Sequence, residues 1–127
     1  MSEVKFYICR HCGNIIGIIQ AGSCIPKCCG ETMTELVANT SDGAKEKHVP
    51  VISVKGSEIH VAVGSVAHPM EAEHYIQWIY IQTVHGGQRK ALNPGDKPEA
   101  VFALAGGDKL IAAYAYCNKH GLWKAEA

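Results

Sequence analysis

The chain is 127 residues long, enough for one ordinary domain or for a domain of roughly 90 residues with a small appendage. Its 12 Lys and Arg balance its 12 Asp and Glu, so it lacks the charge excess expected of a protein that binds nucleic acid or an acidic membrane surface. Met1-Ser2-Glu3-Val4-Lys5 has neither the basic nor the apolar region of a secretory signal, and no apolar run approaches the roughly 18 residues of a membrane span, so a soluble cytoplasmic protein is expected.

Six cysteines without an export signal argue against a disulfide framework, because cytosolic thiols are kept reduced, and point to metal binding or redox chemistry. Lys5-Phe6-Tyr7-Ile8 reads as a strand leading into a CxxC knuckle, Cys9-Arg10-His11-Cys12. Gly13 allows the knuckle's tight turn, and Asn14 to Ile19 leaves it as an apolar strand. Cys28 and Cys29 follow as an adjacent pair one short hairpin on, so four thiolates can converge on one tetrahedral metal. Residues 1–37 thus form a small β module that buries too little to fold without such a staple. Zinc fits this spacing as well as iron, although an adjacent pair departs from the two CxxC knuckles of a zinc ribbon. Cys24 precedes Ile25-Pro26 and lies on a loop outside the cluster. The module's short strands would leave open edges, and a homodimer formed through it is expected.

Residues 38–44 are polar, contain a glycine and show no periodicity, and they read as a linker to a second domain, 45–127. Apolar runs at 49–54, 58–63, 75–82, 100–105 and 110–117 are separated by Gly56-Ser57, His85-Gly86-Gly87, Asn93-Pro94-Gly95 and Gly106-Gly107-Asp108. Short strands at this spacing predict an antiparallel β-sandwich, so the fold class is all-β throughout. Pro69-Met70-Glu71-Ala72-Glu73 has the proline and early acids of a helix start and reads as one helical turn before the strand from Tyr75.

Among seven histidines, His11 inside the knuckle, His60 on the outward face of its strand and His85 at a hairpin tip are expected in solvent. His48 stands two residues before Pro50, His68 immediately before Pro69, and His74 opens a strand whose Ile76, Trp78 and Tyr80 are expected to share its face. Taken singly, each is more often an ordinary core or surface histidine. Together with Cys117 and His120 in Cys117-Asn118-Lys119-His120-Gly121 they offer four nitrogens and one sulfur to a single metal. Cys117 ends a strand whose same-face residues are Ile111, Ala113 and Ala115, leaving room around its sulfur. Gly121 then lets the backbone bend, and Trp123 can cover one side.

These motifs, in this order, resemble desulfoferrodoxin, the two-domain superoxide reductases, over essentially the whole chain. The first part is similar to desulforedoxin, whose four iron ligands fall on Cys9, Cys12, Cys28 and Cys29. The second is similar to the immunoglobulin-like domain shared with neelaredoxin. Its iron ligands fall in Glu46-Lys47-His48-Val49-Pro50, Ala67-His68-Pro69-Met70, His74 and the segment from Cys117 to Gly121. The resemblance implies two irons per chain, the catalytic one with His48, His68, His74 and His120 in a plane and Cys117 on the axis. It implies one-electron reduction of superoxide to hydrogen peroxide without release of dioxygen, with a rubredoxin-like carrier restoring the electron. Glu46 and Lys47 are the candidate catalytic residues: Lys47 as a cation that draws in superoxide and orients water for proton delivery, Glu46 as the carboxylate that closes the sixth position of oxidised iron. By sequence alone that pair would be a solvated dipeptide. Cys24 and Leu122 depart from the family's pattern, and neither is a ligand position. Alternatives open at this point are an electron-transfer protein whose N-terminal centre is the active one, a zinc-bound binding module, and a superoxide dismutase.

Overall fold

The computed structural model describes residues 4–127, which divide after Val37 into two compact units. In the first, β1 (Phe6–Ile8) pairs antiparallel with β2 (Ile15–Gly17) and, on its other side, with β5 (Thr34–Leu36); β3 (Lys27–Cys28) and β4 (Glu31–Thr32) form a separate hairpin. The apolar strand expected over 14–19 is only three residues long. The β3–β4 loop has two residues, Cys29 at φ 53° and Gly30 at φ 77°. Two successive left-handed residues make the turn whose twist matches a hairpin, which explains why the second cysteine pair is adjacent. Tyr7, Cys9 and Met33 are buried with Ile16, Ile18 and Cys28 against them, and a core so small needs further support.

The second unit begins at Ala38, and the segment read as a linker is tied to it. Asn39 N–H donates to the Leu122 carbonyl, its side-chain amide donates to the Lys124 carbonyl, and its Oδ1 accepts Lys124 N–H. After one helical turn, α1 (Lys45–His48), come β6 (Pro50–Lys55), β7 (Glu58–Val63), β8 (Ile76–Thr83), β9 (Gly86–Ala91), β10 (Glu99–Ala103), β11 (Leu110–Cys117) and β12 (Gly121–Glu126). They build two antiparallel sheets, ordered β10-β7-β6 and β12-β11-β8-β9. Ile59, Val61, Val63, Ala100 and Phe102 from the first sheet meet Ile76, Ile79, Ile81, Ala113, Ala115 and Cys117 from the second. The result is the expected sandwich, with inward residues alternating along each strand.

Several local expectations differ. No helical turn forms at 69–73; Glu71 and His74 instead exchange both backbone hydrogen bonds as an isolated bridge. The helical turn lies at Lys45–His48 and ends at Val49, because the residue before a proline disfavours the helical region. Strand β8 bulges at Gln77, so Ile76 pairs with Cys117 and faces the core, whereas Trp78 and Tyr80 turn to the other face beside Tyr116 and Tyr114. Strand β11 bulges at Ile111, and Leu110 packs on the core in its place. Gly86 and Gly87, expected in a turn, belong to β9, and a Cβ at Gly87 would run into the Tyr80 hydroxyl. Among the described residues no helix is long and apolar enough to cross a membrane.

Candidate metal centres

The register places the start of β6, the end of β7, the start of β8, the end of β11 and the start of β12 at one end of the sandwich, since Pro50 pairs with Val63 and Cys117 with both Ile76 and Gly121. His48 arrives there on α1, His68 and His74 on the β7–β8 connection, Cys117 at the last position of β11, and His120 in the β11–β12 turn. Gly121, at φ 78°, sends β12 back from that turn, and its missing Cβ leaves space for Ser41, whose Oγ would lie 2.7 Å away.

The four imidazoles close into a ring of edge-on neighbours. Centroids are 4.7 Å apart for His48 and His68, 4.8 Å for His68 and His74, 5.1 Å for His74 and His120, and 4.8 Å for His120 and His48. Two of the rings are steered by main chain. His48 Nδ1–H donates to the Ala44 carbonyl at 2.7 Å and His68 Nδ1–H to the Pro69 carbonyl at 2.6 Å. With the proton on Nδ1, each Nε2 carries a bare lone pair, and these two nitrogens face each other at 3.2 Å. His120 differs: its Nδ1 turns inward, 3.1 Å from His48 Nε2 and 3.8 Å from Cys117 Sγ. His74 Nε2 is buried with no hydrogen-bond partner.

Such an arrangement is unfavourable unless a cation sits among the lone pairs, because a buried acceptor without a donor costs about 1–3 kcal/mol. One donor atom from each of His48, His68, His74, His120 and Cys117 lies within 4.8 Å of every other. For a metal–nitrogen bond of about 2.1 Å, adjacent donors at right angles are about 3 Å apart, which the two shortest nitrogen pairs match. Burial pushes the His48 and His74 rings below their ordinary range and His68 down to about 4. All three imidazoles are therefore neutral at neutral pH and could donate a lone pair to a metal. Burial pushes the Cys117 thiol up, against N–H donation from Lys119 and His120. Trp123 stacks on His48 at 4.9 Å and 28°, as the sequence suggested, and its indole N–H donates to the His120 carbonyl. Five donors fit a transition metal better than zinc, which usually takes four.

The second donor set is complete within the N-terminal unit. Cys9, Cys12, Cys28 and Cys29 also bring their sulfurs within 4.8 Å, with Cys12 and Cys28 3.6 Å apart and Cys28 and Cys29 3.9 Å apart. Tetrahedral sulfurs on a metal at about 2.3 Å stand about 3.8 Å apart. N–H donation from Cys12 draws Cys9 down to about 6, while the crowding sulfurs of Cys9 and Cys12 hold Cys29 up at about 12. Four thiolates this close need a cation to coexist, so this set fits a metal too. Cys24 is exposed and outside the set.

His11 is exposed and pairs with Glu31 at 2.9 Å, His60 pairs with Glu58 at 3.2 Å on the outer face, and His85 is exposed at the β8–β9 tip. Glu46 and Lys47 occupy α1 beside His48 and are exposed; neither belongs to the donor set. Leu122 is buried in β12. Sequence reasoning missed the Ala44 and Pro69 carbonyls, which no side chain announces, and the Asn118 amide, whose position between two donors was the available signal.

The desulfoferrodoxin family profile matches residues 40–126. Desulfoferrodoxin of Nitratidesulfovibrio vulgaris is 50% identical over 126 residues, covering 99% of this chain and 98% of that protein. The crystal structure of the superoxide reductase from Treponema pallidum superposes with a TM-score of 0.84 at 39% identity, over 98% of this chain and 100% of the other. A superoxide reductase with one iron from Giardia intestinalis matches at a TM-score of 0.56 and 32% identity, over 65% of this chain and 98% of its own. With its sandwich, its two donor sets and these relatives, the chain belongs to the desulfoferrodoxin family.

Proposed function

We propose that the chain is a superoxide reductase, adding one electron and two protons to superoxide to give hydrogen peroxide, with two irons per chain. The observation that carries this reading is the ring of four imidazoles beside the Cys117 thiol, with His74 Nε2 buried and unpartnered. His48, His68, His74, His120 and Cys117 would hold the catalytic iron, and Cys9, Cys12, Cys28 and Cys29 the other, in a module of residues 1–37. Held by these five residues, iron would supply one-electron chemistry to superoxide. The Ala44 and Pro69 carbonyls fix the tautomers of His48 and His68, and Trp123 excludes water from one face of His48. Cys117 Sγ accepts the His120 N–H at 3.4 Å, which tempers the electron density of a thiolate at that position.

Lys47, exposed next to His48, attracts the superoxide anion and orients the water that delivers protons. Glu46, exposed two residues before His48, would offer a carboxylate to the same site. A rubredoxin-like carrier in the cytoplasm returns the electron, and two copies associate through the N-terminal module. The family assignment and the solved superoxide reductases at 32% and 39% identity support this reading.

The test is a known pulse of superoxide delivered to anaerobically reduced, iron-loaded protein while peroxide and dioxygen are counted. One peroxide per superoxide with no dioxygen is the expected result. Half that peroxide accompanied by dioxygen would mean dismutation, and loss no faster than in buffer would sink the catalytic reading.

A further inference from the structure

His48 and His68 are each aimed by a ring N–H held on a main-chain carbonyl, but His74 has no such anchor among the described residues. What is held instead is the backbone on both sides of it. Asn118 Nδ2–H donates to the Glu73 carbonyl at 3.0 Å, Asn118 Oδ1 accepts the Tyr75 N–H at 3.0 Å, and Asn118 N–H reaches the Tyr75 carbonyl at 3.3 Å. The His74 peptide groups themselves are both spent on Glu71, at 3.0 Å each. One side chain therefore grips the two peptides flanking His74, and that side chain sits between Cys117 and His120.

We propose that Asn118 is the positioning residue for His74, clamping the β7–β8 connection to the β11–β12 turn so that the His74 ring meets the other four donors. The inference rests on the reading of those five residues as an iron site. An asparagine suits the task because one planar amide offers a donor and an acceptor side by side, complementary to the carbonyl of Glu73 and the N–H of Tyr75. Aspartate keeps the shape and the acceptor but turns a second oxygen toward the Glu73 carbonyl. Alanine removes both bonds. Both changes release the Glu73 carbonyl, and with it the peptide that enters His74, while leaving all five donors in the chain. Partners that orient a ligand in this way typically account for about 10–100-fold in metal affinity.

The experiment uses iron-loaded full-length protein and follows loss of iron from the five-donor site to excess chelator, together with the electron paramagnetic resonance spectrum of the oxidised site. Asn118→Ala and Asn118→Asp are expected to release that iron about tenfold faster and to change the symmetry of the spectrum, with the four-thiolate site unaltered. In a His74→Ala background, Asn118→Ala should add little further loss, since the ligand it positions is gone. Equal release and an unchanged spectrum in both variants would overturn the assignment. So would a full tenfold addition in the His74→Ala background, because Asn118 would then act through the Cys117 turn. Should Asn118→Ala fail to fold, Asn118→Asp carries the comparison alone. Wild-type protein that took up no iron at this site would overturn the metal reading beneath the proposal, whereas wild type that binds iron like its variants overturns the Asn118 assignment alone.

Discussion

At the scale of single residues, the site depends on where protons and charges are placed. Carbonyl anchors settle the tautomers of His48 and His68, and burial keeps three imidazoles neutral, so their lone pairs are available to a metal at neutral pH. Lys47 is an exposed cation next to His48, and the capture half of its proposed role is the one that salt can test. Lys47→Gln should therefore lower the second-order rate with superoxide about tenfold at low salt and flatten the dependence of that rate on ionic strength, with the iron spectrum unchanged. Stopped-flow or pulse-radiolysis rates over a salt series would check this. A variant as fast and as salt-sensitive as the wild type would remove Lys47 from the catalytic set.

At the scale of elements, donors come together because turns dock closely, and Gly64 shows how closely. A Cβ there would lie 2.7 Å from the Glu46 carbonyl oxygen, 3.0 Å from the Lys47 carbonyl carbon and 3.0 Å from the Val49 carbonyl oxygen. All three are main-chain atoms, so α1 cannot yield by turning a side chain. Gly64→Ala should destabilise the metal-free protein by about 1–3 kcal/mol in urea unfolding and reduce iron retained at the five-donor site, because displaced α1 carries His48 with it. Unchanged stability and iron content would show that the turn relaxes freely. The same scale explains what the sequence revealed and what it did not. The donors were legible because Cys, His and their neighbouring prolines are local signals, and so were strands with a clear apolar face, such as β7. The β9 strand was hidden because Gly86-Gly87-Gln88-Arg89-Lys90 has the composition of a turn followed by a charged edge, which is how an edge strand resists pairing with other chains. The face of Trp78 and Tyr80 was misjudged because a bulge at Gln77 arises from pairing between distant strands and leaves no mark in the local period. Pro50 stands two residues after His48, so its restriction falls on Val49, and His48 remains free to end a helical turn.

At the scale of the whole molecule, the two units differ in what holds them together. The sandwich has a continuous core from both sheets, whereas in the first unit Tyr7, Cys9 and Met33 cluster with three partly buried neighbours and only Phe6 and Ile8 are buried besides them among the described apolar residues. Structural thiolate sites contribute about 10–16 kcal/mol on metal binding, far more than that small core can. Stripping metal from the full chain should therefore unfold the N-terminal unit and leave the sandwich folded. Amide hydrogen exchange would show protection lost over β1 to β5 and kept in β7, β8 and β11; protection retained in both units would overturn this division. The placement of the donors along the chain also sets an order of manufacture. Cys29 completes the first donor set, but the second waits for His120, about 90 residues later. At ribosomal rates that interval lasts roughly 5–20 s. A nascent chain can thus acquire its first metal while the second site still lacks both the sulfur and the fourth imidazole, which lets the two metals enter as separate events in the life of one molecule.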